Sequence, residues 1–260
     1  MATHSPPPEI SVVIPVYNEA RLLQTSVRDF VAGLEGLQVT FEIVLAENGS
    51  RDDTIKLAQN LAAQDSRIRT FSYPAPNYGG ALREGIYRAR GRHVICEEID
   101  LCDIDFVSRA LDQLRRDAAD MVVGSKAMRG AHDKRPPLRR FATRVYNGML
   151  RVSLGYRGTD THGLKAFQRD RVLPIVGECV VEHDVFASEL VIRSQRKGLR
   201  LLEIPVEIEE KRAPSINLIN RIPRVCKNLG RLWVSVHLGR GPSPAPAPPT
   251  SPSHDELGSP

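Results

Sequence analysis

Apolar residues recur along this chain at two spacings, and the spacing switches repeatedly. Ile10-Ser-Val-Val-Ile-Pro-Val16 is a short β-branched run bounded by turn formers, and it predicts a buried strand. Residues 19–34 then place Leu22, Leu23, Val27, Phe30, Val31 and Leu34 at helical intervals. The pattern repeats with a strand over 41–46, a turn over 48–53 and a helix carrying Ile55, Leu57, Ala58 and Leu61. It continues with strands at 68–73, 93–96 and 120–124, and helices at 81–90 and 106–115. This rhythm predicts an α/β fold with a mostly parallel sheet flanked by helices. In such sheets ligands bind beyond the carboxyl ends of the strands, which directs attention to the loops after the first, second and fourth strands.

The C-terminal part reads differently. Residues 211–254 contain no Asp or Glu, and Ile219, Ile222, Cys226, Leu229, Trp233 and Val236 recur at three- and four-residue steps, with Arg221, Arg224, Lys227 and Arg231 between them. That is the pattern of a basic amphipathic helix over 215–240, with Pro223 in its first turn or at a kink. Two roles suit it: packing on the core with the arginines outward, or lying on an anionic membrane surface. Residues 241–260 are mostly Pro, Ser, Ala and Gly with little to bury, and with residues 1–8 they are expected to be disordered, leaving 9–214 as the folded domain.

Composition narrows the class. The 260 residues, 41% hydrophobic and 26% charged, suit one globular domain and exclude a fibrous or wholly disordered chain. No apolar run approaches the roughly 20 residues that cross a bilayer. The first eight residues lack the blocks of a signal peptide, and Cys96, Cys102, Cys179 and Cys226 show no CxxC or metal-ligand spacing. Reduced thiols in a cytoplasmic protein are the expectation. The net charge of +5 matters because the positive residues cluster. With only 5% aromatics and no stacking aromatics among the basic residues, a nucleic-acid partner is not expected.

The candidate chemistry lies at strand ends. After the first strand, Pro15-Val-Tyr-Asn-Glu19 lacks the glycines of a GxGxxG turn. Tyr17, Asn18 and Glu19 suit contact with a base or ribose, while Asn18 equally suits a helix cap. After the second strand, Glu47 can accept hydrogen bonds from a ribose or a base, and Asn48-Gly49 is also a good turn. After the fourth, Cys96-Glu-Glu-Ile-Asp100 continues to Asp103 and Asp105, five carboxylates within nine residues. A helix N-terminus favours some of them. Their mutual repulsion points further, to Mg²⁺ or Mn²⁺ bridging to phosphates. On an extended segment Glu98 and Asp100 project to the same side and reach one ion together.

These motifs together resemble the GT-A glycosyltransferases of family 2, in the polyprenol/dolichol-phosphate mannosyltransferase-like branch, over roughly residues 10–218. The opening V-x-P-x-Y-N-E appears as Val13-Ile-Pro-Val-Tyr-Asn-Glu19, and D-D-G-S-x-D-x-T as Glu47-Asn-Gly-Ser-Arg-Asp-Asp-Thr54. The glycine-containing helix motif spans Gly79 to Gly91, and D-x-D falls on Glu98-Ile-Asp100. G-S-R is similar to Gly124-Ser-Lys126, and the later D-x-T-G motif to Asp160-Thr-His-Gly-Leu-Lys-Ala-Phe-Gln-Arg169. Departures are Glu98 for Asp, Asn48 for Asp, and Cys102, a poor Mg²⁺ ligand, two residues after Asp100. Asp103 or Asp105 stands near enough to replace the last, and a register on Asp103-Ile-Asp105 stays open.

The resemblance implies a GT-A, Rossmann-like fold and an inverting hexosyltransferase that moves a sugar from a nucleotide-sugar to a polyprenyl phosphate. The donor is GDP-mannose, or UDP-glucose or a UDP-N-acetylhexosamine. It implies donor binding by Pro15, Tyr17, Asn18, Glu19, Glu47, Asn48, Gly79, Glu98, Ile99, Asp100 and Lys165. Glu98, Asp100 and Asp103 hold Mg²⁺ or Mn²⁺, and Asp100, Lys126, Arg139, Arg144 and Arg212 surround the phosphates, whereas Lys134 and Arg140 belong to a solvated face. Glu182-His-Asp184 either mimics an acceptor base or starts a helix, the latter favoured, and His162 and His183 read as polar loop residues. The partners implied are the lipid acceptor, an anionic membrane surface and a membrane protein, with the chain peripheral at the inner face of the cell membrane. The alternatives are a glycan or small-molecule hydroxyl acceptor and, more distantly, a non-catalytic basic binding module.

Overall fold

The computed structural model describes residues 6–133, 137–180, 185–208, 227, 230–234 and 237. The first half follows the predicted alternation: β1 (Ile10–Val16), α1 (Leu23–Gly36), β2 (Phe41–Glu47), α2 (Thr54–Gln64), β3 (Ile68–Ser72), α3 (Tyr78–Arg88), β4 (His93–Cys96), α4 (Ile104–Arg115) and β5 (Met121–Ser125). The second half adds β6 (His132–Asp133), α5 (Pro137–Leu154), β7 (Lys165–Gln168), α6 (Arg169–Glu178), α7 (Phe186–Arg196), β8 (Leu201–Pro205) and β9 (Glu207–Ile208). Seven strands form one sheet in the order β3-β2-β1-β4-β7-β5-β8, and β6 pairs with β9 separately. Every pairing in the large sheet is parallel except those of β7, which runs antiparallel between β4 and β5.

Alternation along β1 divides the core in two. Ile10, Val12, Ile14 and Val16 face one layer with Leu23, Val27, Phe30 and Leu34 of α1 and Phe106, Val107 and Leu111 of α4. Val13 faces the other, with Leu82 and Ile86 of α3, Leu150 and Leu154 of α5, and Leu190 and Val191 of α7. Helix α3 lies close on the sheet because Gly85 leaves room for Val13, whose side chain a Cβ at that position would strike.

Local ends differ from expectation in instructive ways. Helix α1 begins at Leu23, a turn later than the apolar spacing predicts, and no side chain caps it. Asn18 is therefore not its cap: the residue is held at φ 54° and its side chain accepts from Arg51 N at 2.8 Å. Helix α3 begins earlier than predicted because Asn77 caps it, its side chain accepting from Gly80 N at 3.0 Å. In the C-terminal segment Leu232 is fully buried, whereas Trp233, on the predicted apolar stripe, is 44% exposed and stacked on His237. Residues 215–226, 228–229, 235–236 and 238–240, and all of 241–260, lie outside the described residues.

Charged anchors tie the amino ends of the strands together. Glu42, almost fully buried, accepts from Ser11 Oγ at 2.6 Å and pairs with Arg69 and Arg90 at 3.0 and 2.7 Å. Asp120, at the start of β5, pairs with Arg171 and with Arg200 at 2.7 Å. The Arg200 hydrogen bond is the main influence that holds its carboxyl down at about 2, against the opposing effect of burial. Because the folded-state value lies below that of a free aspartate, this stabilisation is present above about pH 4 and is lost as pH falls toward 2. Asp120→Ala is expected to lower stability by about 2 kcal/mol at neutral pH, with the deficit shrinking below pH 4. Urea melts across that range measure it, and a constant deficit down to pH 2 contradicts the assignment.

Candidate active site

The insertion of β7 assembles the site. An antiparallel strand presents its first residue at the level where its parallel neighbours end, so Lys165 lies in register with Cys96, the last residue of β4, and with Val123 of β5. Lys165 is thereby buried beside the acidic turn that follows β4. Its ammonium donates to Gly163 O at 2.6 Å, and burial pulls its pKa down to about 8 against the opposing influence of Cys96 and Asp160.

That turn is tight. Leu101 N and Cys102 N both donate to Glu98 O, at 2.9 and 3.1 Å, and Cys102 takes the left-handed conformation at φ 46°. Glu98 and Asp100 therefore stand on a turn and not on the extended segment expected, and Ile99 between them is buried. Burial and then the neighbouring Asp100 raise the Glu98 carboxyl, while Lys126 and Lys165 oppose the rise. Asp103 is engaged elsewhere, since its side chain caps α4 by accepting from Phe106 N at 3.0 Å. Among the described residues no three acidic, His or Cys side chains converge as a ready-made cation cage. The expected trio of Glu98, Asp100 and Asp103 is thus not brought together, because the helix end claims its third member. Asp105 is largely exposed and pairs with Arg109 one turn along α4, so the alternative register finds no support in the packing.

Opposite the turn stands a buried ion pair. Lys126 Nζ lies 3.2 Å from Asp160 Oδ2, with Asp160 fully buried and Lys126 nearly so. Burial works to raise the Asp160 carboxyl, but Lys126 and the His162 N–H hold it below the ordinary aspartate range. The loop carrying Asp160 is fastened from β8: Glu203 accepts from Thr159 N at 2.6 Å, Asp160 N at 3.1 Å, Thr159 Oγ1 at 2.7 Å and Tyr156 OH at 2.9 Å. Ser125 Oγ lies 2.6 Å from Thr159 Oγ1. The loop crosses β5 so closely that a Cβ on Gly163 would run into Gly124 O, which explains glycine at that position.

The donor-side candidates gather at the ends of β1 and β2. Asn18 N donates to Ser50 Oγ at 3.0 Å and Glu19 N to Thr54 Oγ1 at 2.7 Å, lacing the two loops together. Pro15 is half-buried and Tyr17 presents an exposed ring beside them. Asn48 is buried, and its side chain accepts from Asn77 N at 2.6 Å, so it fixes the start of α3, where Gly79 lies buried. Glu47 is 1% exposed; one carboxylate oxygen accepts from Ser50 N at 2.5 Å and the other has no protein partner. An unpartnered buried carboxylate oxygen is costly unless a ligand donor meets it.

Arg144 is exposed on α5. The Arg139 side chain lies outside the described residues, as do Lys134, Glu182, His183, Asp184 and Arg212. His162 is half-buried in the loop, edge-on to Tyr146 at 4.9 Å. The structure makes prominent four residues to which the sequence reading gave no site role. Glu97 is buried with one oxygen unpartnered, and burial followed by the nearby Asp103 drives its carboxyl well above the usual range. Asp160, Tyr156 and Glu203 complete the set, and the signal for Glu203 was a lone acid within the apolar run Leu201–Pro205. Glu203→Gln is expected to destabilise by about 1–2 kcal/mol and to speed amide exchange at 159–162 while β1 and β2 stay protected. Hydrogen-exchange mass spectrometry reads this directly, and unchanged exchange in that loop contradicts the fastening role.

A mostly parallel seven-stranded sheet with one antiparallel insertion, and an acidic turn facing buried lysines at its carboxyl end, define a GT-A glycosyltransferase fold. The chain belongs to glycosyl transferase family 2, whose family model matches residues 11–174. It is similar to the glycosyltransferase AglD of Haloferax volcanii, 34% identical over 230 residues covering 86% of this chain and 37% of that one. It is also similar to a dolichyl-phosphate beta-glucosyltransferase of Trichomonas vaginalis, 27% identical over 76% of this chain and 63% of the relative. A third relative is an undecaprenyl-phosphate 4-deoxy-4-formamido-L-arabinose transferase of Pseudomonas fluorescens, 30% identical over 62% of this chain and 47% of the relative. The chain thus spans between about a third and two thirds of the length of these relatives. Among solved structures, glucosyl-3-phosphoglycerate synthase of Mycobacterium tuberculosis, complexed with Mn²⁺, UDP and glucosyl-3-phosphoglycerate, superposes with a TM-score of 0.63 at 19% identity, covering 88% of this chain and 80% of that one. Among the described residues no helix is long and apolar enough to cross a membrane.

Proposed function

We propose that this chain transfers a hexose from a nucleotide-sugar to a polyprenyl phosphate with inversion at the anomeric carbon. The observation that carries the reading is the meeting of Glu98 and Asp100 with the nearly buried Lys126 and the buried Lys165 at the carboxyl end of the sheet. Carboxylates there suit a hard cation and lysines suit phosphate oxygens, so the edge is matched to a diphosphate and to a phosphate acceptor. Relatives that act on dolichyl and undecaprenyl phosphates support the acceptor class. A glucosyl-transferring relative and a neighbour holding UDP favour UDP-glucose over GDP-mannose as donor.

Glu98 and Asp100 would hold Mg²⁺ or Mn²⁺, and two protein carboxylates suffice for an ion that completes its shell with water and phosphate oxygens. Such an ion, when bound, offsets the charge that builds on the departing diphosphate. Everything else falls to the chain. The unpartnered Glu47 oxygen accepts a donor hydroxyl or N–H, and Tyr17 lies beside the nucleoside. Lys126, oriented by Asp160, directs the acceptor phosphate. One phosphate oxygen forms the new bond to the anomeric carbon as the bond to the diphosphate breaks, and the nucleoside diphosphate leaves with the electron pair. The nucleophile is already an anion, so no base has to remove a proton, and positioning supplies most of the acceleration. In this reading the chain works peripherally, at the inner face of the cell membrane.

Asp100→Asn is expected to cut transfer by about a hundredfold or more while leaving the melting temperature near that of the wild type. The assay incubates labelled UDP-glucose or GDP-mannose with polyprenyl phosphate and Mn²⁺ and extracts with organic solvent. Label in the organic phase supports the lipid acceptor. Label confined to the aqueous phase with an added glycan supports the hydroxyl-acceptor alternative instead.

A further inference from the structure

Helix α5 has two apolar faces, and among the described residues only one packs into the core. Leu150, Leu154 and the half-buried Tyr146 turn inward. On the opposite side Leu138, Phe141, Val145, Met149 and Val152 recur at three- and four-residue steps, and all are exposed, Phe141 by 63% and Val152 by 92%. Five large apolar side chains in one outward stripe exceed the scattered exposure normal for a surface helix. Arg140, Arg144 and Arg151 fall four and seven residues apart, forming a row along one border of that stripe, all three exposed. The 18 residues of α5 contain no Asp or Glu.

We infer that the outward face of α5 docks on an anionic lipid surface. An apolar stripe bordered by arginines, on a helix that carries no acid of its own, matches the boundary between acyl chains and negative headgroups, where the stripe sinks roughly 5–10 Å. The inward side of the same helix grips the site loop: Asn147 Nδ2 donates to Thr159 O at 2.6 Å, and Tyr146 meets His162. One helix diameter, about 10 Å, therefore separates the lipid surface from the loop that carries Asp160 and orients Lys126. For a phosphate carried on a polyprenyl chain this brings acceptor and site to the same plane. That purpose rests on the lipid-acceptor reading, whereas the docking itself does not.

The test is co-sedimentation of the full chain with vesicles, without donor or acceptor, so that its outcome is independent of transferase activity. The vesicles are phosphatidylcholine alone or mixed with phosphatidylglycerol. The wild type is expected to pellet with the anionic vesicles, less so as salt rises, and the Phe141→Asp/Val152→Asp double variant to bind about tenfold more weakly or worse. Both side chains are exposed, so the double variant is expected to keep the wild-type melting temperature, and Val152→Leu to keep wild-type binding. Three results overturn the inference. One is a wild type that stays in the supernatant, another is a double variant that binds as well as the wild type, and the third is a wild-type dimer that the double variant converts to monomer, which assigns the face to a second copy of the chain.

Discussion

Burying a lysine and an aspartate together is costly unless each meets the other, and the Lys126–Asp160 pair is where this molecule accepts that cost. Almost everything around the site serves to hold that pair. Glu203 reaches from β8 to bind the backbone of residues 159 and 160, Ser125 meets Thr159, and a glycine at 163 lets the loop pass over β5. The pair in turn stands beside Lys165 and the Glu98–Asp100 turn, so charged groups of both signs share one poorly solvated pocket. Such an arrangement is preorganised for a ligand that carries phosphate and a divalent ion, because the protein dipoles and charges are already in place before the ligand arrives.

The antiparallel β7 is the topological device behind this. A fully parallel sheet brings only carboxyl ends to the binding side, and each strand there leads into a loop that must turn away to a helix. Reversing one strand between β4 and β5 delivers the start of a strand instead, together with the loop that precedes it. Lys165 enters from the opposite chain direction, next to the end of β4. The same loop then touches α5, whose outer side is apolar and basic, so site and outer surface share a helix.

Much of this architecture was legible from spacing alone. The first five strands and four helices follow from alternating two-residue and 3.6-residue periods, since burial on both faces of a parallel sheet demands continuous apolar runs. Glu47, Glu98 and Asp100 were found because charged residues directly after a buried strand are unusual. Strand β7 was not found as a strand: its four residues run straight into α6 and are too short to display a period. Glu97, counted only with its acidic neighbours, and Glu203, a lone acid in an apolar run, received no role because sequence position carries no sign of whether a carboxylate faces solvent or the interior.

The order of the residues by itself determined the layering, the parallel pairing of β1 to β4 and the acidic loop after β4, since each depends on local period and on which side chains avoid water. Only the tertiary structure decided what those acids do. Asp103, three residues from Asp100, is drawn to the bare N–H groups opening α4, and Asn18 binds the neighbouring loop in place of its own helix. Such choices are made between groups that compete through space for hydrogen-bonding partners, and no linear pattern records which partner wins.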